Sequence, residues 1–290
     1  MKGFLKEQMD SLLAQTYAYI EIIISDDASN DSTRQILKEY ETNPSITLFF
    51  QEKNLGAGKN FEFAVKQAKG AFIAFSDQDD IWLPEKIEAM YRAIGDSFLI
   101  YSDSELVDEN GNSLHKNLSS LRRMYTGDQA KGFVFSNVVW GHAMLINSQS
   151  LPSVIPVPAG IPHDIWMGFK AATITGIKYL DRPLTKYRQH ADTVTKTIAV
   201  KAVSKPAAIK YEEFTNKLYW IGIMRDHERP ERKEFYQRLY ELYAQKSTGR
   251  YGFKLLFFLL RHRAALFMFT RKKWTSQVIE LIKQARGVSR

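Results

Sequence analysis

Two groups of carboxylates dominate the chemistry that this 290-residue chain could perform. Asp26-Asp27 follows the β-branched run Ile20–Ile24, and Asp77-Gln78-Asp79-Asp80 follows the apolar run Ala71–Phe75. Ligands of doubly wound α/β folds bind beyond the carboxyl ends of buried strands, where both groups would lie. A carboxylate there can accept a base N–H, which suits nucleotide recognition, although a turn pair or helix N-cap accounts equally well for Asp26 and Asp27. Three carboxylates within four residues repel one another unless a cation sits among them. Hard oxygen donors favour Mg²⁺ or Mn²⁺. The plainer alternative is an acidic turn capping the helix that Pro84 begins.

The elements that must position these residues are legible from hydrophobic period. Helical spacing begins at Phe4, and strand-like runs occupy Ile20–Ile24, Ile46–Phe50, Ala71–Phe75 and Phe98–Tyr101. Helices fall between them at Asp31–Tyr40, Lys59–Lys69 and Pro84–Ile94. This alternation predicts an α/β fold with a mostly parallel sheet covered on both faces. A hairpin is expected at Asp108–Asn112, a loop over Pro152–Pro162, a helix over His163–Ala172 and a strand followed by a loop over Ile177–His190. Ala191–Pro206 is weakly patterned and reads as a mobile connector, and everything from Ala207 reads as helix. The expected division is therefore residues 1–205 and a helical extension, 206–290. Asn54, Gly56 and Asn60 lie in a Gly-rich loop whose Gly-x-Gly-Lys is a weak phosphate-cradle signal.

Hydrophobic residues at 44% and charged residues at 25% are those of a globular chain, and the absence of Cys excludes disulfides, thiolate metal sites and a Cys nucleophile. No apolar signal-peptide core follows Met1. From Gln245 onward eleven basic residues face one acidic residue, Glu280, a net +10 that leaves −2 for residues 1–244 out of the overall +8. The extension's partner should be anionic. Its apolar stretch, Tyr251–Phe269, is interrupted by Arg261-His262-Arg263 and flanked by Arg271-Lys272-Lys273-Trp274, the pattern of a helix lying in a membrane interface. A core helix docked on the sheet domain would read similarly. Nucleic acid is not expected, since no groove-reading or stacking motif accompanies the charge.

Several segments together resemble family 2 glycosyltransferases of the GT-A fold. They are Glu7–Tyr17, Ile22–Thr33 and the Asp-x-Asp segment Phe75–Lys86, while Gly141–Asn147, His163–Trp166 and Tyr187–His190 are similar to a rhamnosyltransferase-like branch. The resemblance implies a GT-A fold (Rossmann-like) and transfer of a sugar, with rhamnose the suggested one, from a nucleoside diphosphate sugar donor. It implies Mn²⁺ or Mg²⁺ held by Asp79 and His190, nucleotide-sugar contacts from Asp26, Asp27, Asn54, Gly56, Asn60, Asp77 and Arg188, and Asp164 as general base of an inverting reaction. Asp164 considered alone also suits a helix N-cap. Trp166 would line the acceptor side, the acceptor being a glycan or lipid-linked. The expected location is cytoplasmic, peripheral on the inner face of the cell membrane. The family pattern opens with a central buried strand where this sequence has only Met1-Lys2-Gly3. Two expectations follow: an upstream in-frame segment rich in Val and Ile, or direct pairing of Ile20–Ile24 with Ala71–Phe75. A non-catalytic sugar-nucleotide-binding or scaffold protein is the competing class.

Overall fold

The β-branched run and the short apolar runs do form strands, and the helices between them begin and end near their punctuating residues. In the computed structural model, which describes residues 2–190, 207–246 and 251–287, chain order is α1 (Lys2–Leu13), β1 (Ile22–Asp26), α2 (Thr33–Lys38), β2 (Ile46–Phe50), α3 (Ala57–Gln67), β3 (Phe72–Ala74), β4 (Ile81–Trp82) and α4 (Lys86–Ile94). Then come β5 (Leu99–Val107), β6 (Ser113–Asn117), α5 (Leu118–Leu121), β7 (Met144–Asn147), α6 (His163–Ile174) and β8 (Ile177–Arg188). The last third holds α7 (Ala207–His227), α8 (Lys233–Gln245), α9 (Phe253–Arg261), α10 (Arg263–Leu266) and α11 (Trp274–Ala285). The weakly patterned stretch 191–206 lies outside the described residues, as does the expected boundary within it.

The α/β class is as expected, but the sheet is mixed rather than mostly parallel. β1 and β2 pair in parallel as a two-stranded sheet, and the larger sheet has the order β3-β7-β5-β8-β4 with β6 on β5. Only β5 and β8 are parallel in that larger sheet; β7 enters antiparallel to both β3 and β5. Its Met144-Leu145-Ile146 is too short an apolar run to announce itself in the sequence. The hairpin β5–β6 turns at Asp108–Asn112, where the Asp108 carboxylate accepts from the amides of Asn110 and Asn112 at 2.9 and 2.8 Å. Gly111 takes φ 82° there, a left-handed conformation that favours glycine.

No ladder joins β1 to β3 among the described residues. The strands nevertheless lie start beside start, with the Glu21 carboxylate accepting from the amides of Lys69 and Gly70 at 2.5 and 2.7 Å. Their ends are also neighbours: Asn60 bonds Ser25, and Phe61 packs on Phe75 with centroids 5.7 Å apart. Direct pairing of the two strands is therefore not adopted. Side chains connect them instead, with Ile24 and Ala74 against one cluster and α1 reaching across through Gln8 Nε2 to Ser76 Oγ at 2.8 Å. The largest core cluster runs from Phe98 and Leu99 through Phe169 to Leu239, Leu255 and Leu281, so the C-terminal helices share the main core.

Candidate active site

The first acidic group closes β1. Asp26 is buried, and its Oδ2 accepts from Arg34 Nε at 2.6 Å and from the Ser29 amide at 3.2 Å, while its buried Oδ1 has no hydrogen-bond partner. Ala28 takes φ 61°, and this left-handed residue turns the chain sharply at the strand end. Asp27 accepts from the amides of Leu55 and Gly56 at 2.6 and 2.9 Å, and Asn54 Nδ2 donates to its carbonyl at 3.3 Å. Gly56, at φ 81°, lets the loop wrap this carboxylate before α3 begins. Asn60 is tied to β1, donating to the Ser25 carbonyl at 2.8 Å. Asp27, Asn54 and Gly56 thus meet at the end of β1, with Asn60 tied to Ser25 beside them and the Asp26 carboxylate turned to Arg34 and Ser29.

The second acidic group lies between β3 and β4. The antiparallel register of β4 with β8 (Ile81 opposite Lys186, Trp82 opposite Thr185) carries the turn onto the last residues of β8. Asp79 Oδ2 lies 2.9 Å from His190 Nε2, bringing together residues far apart in the chain. Asp77 keeps 37% of its side chain exposed, yet desolvation, reinforced by the charges of Asp79 and Asp164, pushes its carboxyl up to about 7. Asp80 is fully buried; burial, then Asp77 and Asp79, hold it well above the usual carboxylate range.

Four buried residues to which the sequence assigned no role, His142, Ser104, Lys86 and Thr185, lie behind this turn. The imidazole of His142 approaches Asp80 Oδ2 with Nδ1 at 3.5 Å, and its Nε2 lies 2.9 Å from Ser104 Oγ. Burial, then the Lys86 charge, hold His142 well below the ordinary histidine range, so it is neutral. With the proton on Nδ1 facing Asp80, Nε2 accepts from the serine hydroxyl. Lys86 is fully buried, donates to the His142 carbonyl and to Thr185 Oγ1 at 2.5 and 2.9 Å, and stands 3.8 Å from the Trp82 ring centroid. One ligand atom each from Asp77, Asp80 and His142 lie within 4.8 Å of one another, a spacing that could hold a metal ion. Burial pushes the Lys86 ammonium well below the usual lysine range while Asp80 and Asp77 pull it back up, and Lys86 in turn lowers the proton affinity of both carboxyls. The Asp79–His190 pair is a second candidate, and the buried Arg188 guanidinium stands beside it with Nε on the Asp79 carbonyl at 2.9 Å. A mixed carboxylate and imidazole donor set is compatible with Mn²⁺ or Mg²⁺.

Asp164 stands in the first turn of α6, just after Pro162. Its Oδ1 accepts from the Ile165 amide at 2.8 Å and its Oδ2 from Asn137 Nδ2 at 2.9 Å. Desolvation outweighs these bonds and raises its carboxyl to about 6. Its charge contributes to holding the Asp77 carboxyl up, and the neighbouring His163 ring stacks on Phe75 with centroids 5.5 Å apart, setting the start of α6 beside the segment that leads into the acidic turn.

Two assignments change. Trp166 does not line an open acceptor wall: it is 2% exposed, its Nε1 donates to the Val154 carbonyl at 2.6 Å, and its ring packs on Phe169. Two residues along a helix rotate a side chain by about 200°, so Trp166 faces the core while Asp164 faces away from it. Trp166→Ala is expected to cost about 3–5 kcal/mol of stability, read as a lowered urea midpoint. A shift in acceptor KM at unchanged midpoint would restore the acceptor-wall reading. Arg188 is 1% exposed, and its guanidinium donates to the carbonyls of Asp79 and Glu109 at 2.9 and 2.7 Å and to Glu7, with Phe4 beneath it. It braces the acidic turn from behind rather than offering free donors to a diphosphate.

A family model described as glycosyl transferase family 2 matches residues 2–152, just over half of the sequence. The chain belongs to glycosyl transferase family 2. An uncharacterized glycosyltransferase of Rickettsia typhi is 28% identical over 209 residues, covering 67% of this chain and 63% of that relative. The chain thus spans less than two thirds of that curated relative's length. Among solved structures, TarS of S. aureus in complex with UDP-GlcNAc is similar with a TM-score of 0.59 at 16% identity, over 98% of this chain and 78% of that one. The mannosyltransferase PcManGT from Pyrobaculum calidifontis, in complex with GDP-Man and Mn²⁺, gives a TM-score of 0.51 at 18% identity over 98% of this chain and 83% of that one. These two likenesses bear on the fold and agree with the GT-A class expected of a family 2 glycosyltransferase.

Proposed function

We propose that this family 2 glycosyltransferase is a metal-dependent, inverting hexosyltransferase that takes its sugar from a nucleoside diphosphate. The observation that carries the reading is the meeting of Asp79 with His190 at 2.9 Å in the turn that also holds Asp77. Nucleotide sugars bound to TarS and PcManGT support the donor class, and the Mn²⁺ of PcManGT supports the cation. Asp79 and His190 would hold Mn²⁺ or Mg²⁺, which when bound supplies positive charge against a departing diphosphate. Asp77 would face the ribose, and Asp26, Asp27, Asn54, Gly56 and Asn60 the nucleotide side.

Asp164 takes the proton of an acceptor hydroxyl. The resulting oxygen nucleophile forms a bond to the anomeric carbon as the carbon–oxygen bond to the diphosphate breaks on the opposite face, inverting the configuration. Electrons of the broken bond leave with the nucleoside diphosphate, and the proton stays on Asp164 until solvent removes it. A glycan or lipid-linked acceptor in cell-surface glycan synthesis, with rhamnose as the sugar first to be tried, completes the proposal. Its place of action would be cytoplasmic, peripheral on the inner face of the cell membrane.

A donor panel assayed with Mn²⁺ and with chelator tests this reading, and the pH profile tests its base. A carboxyl raised to about 6 is ionised above that pH and protonated below it. Transfer should therefore fall as pH drops through about 7 and then about 6, as first Asp77 on the donor side and then Asp164 take up protons, and the lower limb is the one that Asp164→Asn should remove. A profile that stays level well below pH 6 would remove Asp164 as the base, and equal turnover in chelator would remove the metal.

A further inference from the structure

The helix α9 shows two opposite faces. Leu255 and Leu259 are 1% and 0% exposed and belong to the main core, so the helix is docked as one of the two sequence expectations required. Rotated about 200° from them, Phe253 and Phe257 are 74% and 75% exposed, one helical turn apart. Leu260, also exposed, continues the same stripe, and Lys254 and Arg261 border it. Between this stripe and α8 runs an open groove of about 490 Å³, lined by the two phenylalanines and by Lys254, Arg261 and Arg238. Large rings this exposed cost free energy in water unless something covers them.

We propose that this stripe of α9 seats the protein on an anionic lipid surface, with Phe253 and Phe257 entering the acyl boundary and Lys254 and Arg261 meeting lipid headgroups, while Arg238 on α8 is paired with Glu241 at 3.1 Å. Charge selects this occupant: residues 251–287 carry eight Lys and Arg against Glu280 as the one acid, so the surface complements an anionic sheet. The stripe's length agrees with lying in an interface rather than crossing one, since nine helical residues reach only about 13 Å. No helix among the described residues is long and apolar enough to cross a membrane. The inference deepens the peripheral location proposed above and does not depend on the transfer chemistry, because binding is read without donor or acceptor.

The test is co-sedimentation of the full chain with vesicles of phosphatidylcholine alone or mixed with phosphatidylglycerol. Wild type should pellet with the mixed vesicles and be released by high salt. Phe253→Ser/Phe257→Ser should weaken partitioning by at least about tenfold through lost apolar burial. Lys254→Glu/Arg261→Glu should weaken it by more than about tenfold, at roughly fivefold per removed cation before the added acids count. All four side chains are on the exposed face, so both variants should melt with wild type. The proposal is overturned if wild type pellets with neither vesicle, if either variant pellets like wild type, or if the phenylalanine variant changes only self-association, which would make a second copy the occupant. Loss of vesicle binding with transfer intact would leave the proposed chemistry standing, and the reverse would leave the surface standing.

Discussion

Asp164→Asn is expected to lower kcat by about 10³-fold while donor affinity stays within a factor of two or so. The amide keeps the carboxylate's shape and can still accept one of the two hydrogen bonds that Asp164 takes from Asn137 and Ile165. It cannot take the acceptor's proton at any pH, so the fall below pH 6 should also vanish from whatever activity remains. A carboxyl that is desolvated to about 6 is well placed for this role, being ionised at neutral pH yet more basic than an ordinary aspartate. Steady-state transfer, with the melting temperature as a folding control, gives the answer. Activity within tenfold of wild type would assign proton removal to another group.

Asp79→Asn and His190→Ala are each expected to reduce transfer by about 10²–10³-fold, the usual size of a lost electrostatic contact to developing charge. Both should also flatten the dependence on Mn²⁺ concentration. The two residues are brought together by backbone register rather than by chance contact. Extending the β4–β8 ladder from Ile81 opposite Lys186 sets the acidic turn against Arg188 and its neighbours. Arg188 fastens that meeting with its amide on Asp80 Oδ1 at 3.0 Å and its Nε on the Asp79 carbonyl at 2.9 Å. A His190→Ala enzyme with wild-type Mn²⁺ dependence would separate His190 from the cation and leave it a packing residue against Phe4.

The acidic strand ends were legible because each follows an abrupt change from apolar to charged residues, which backbone burial alone enforces. Asp164 was legible from the Pro-rich stretch that precedes its helix together with the family likeness. The meeting of Asp79 with His190 was not, since it depends on β4, and the mixed sheet was not, since it depends on β7. Those strands are two and four residues long, shorter than any periodic signal can mark. Trp166 was misjudged because an aromatic beside a candidate base suggests a sugar platform, whereas helical phase turns it into the core. His142 and Lys86 lie within segments that carry the family likeness, but nothing in their spacing assigned either of them a role. A buried lysine 3.8 Å from the Trp82 ring centroid, bonded to Thr185, is a product of three distant segments converging. The tail offered two readings, docked helix or interfacial helix, and α9 presents one face to the core and leaves the other exposed.

Everything proposed about transfer depends on the side chains of Asp79 and His190 gripping one ion together with a diphosphate. Electron paramagnetic resonance of Mn²⁺ titrated with wild type and Asp79→Asn, with and without added nucleoside diphosphate, reads this without any acceptor. Wild type should remove the free Mn²⁺ signal near one equivalent only when the nucleotide is present, and Asp79→Asn should leave it free. Identical titrations for the two proteins would contradict the assignment.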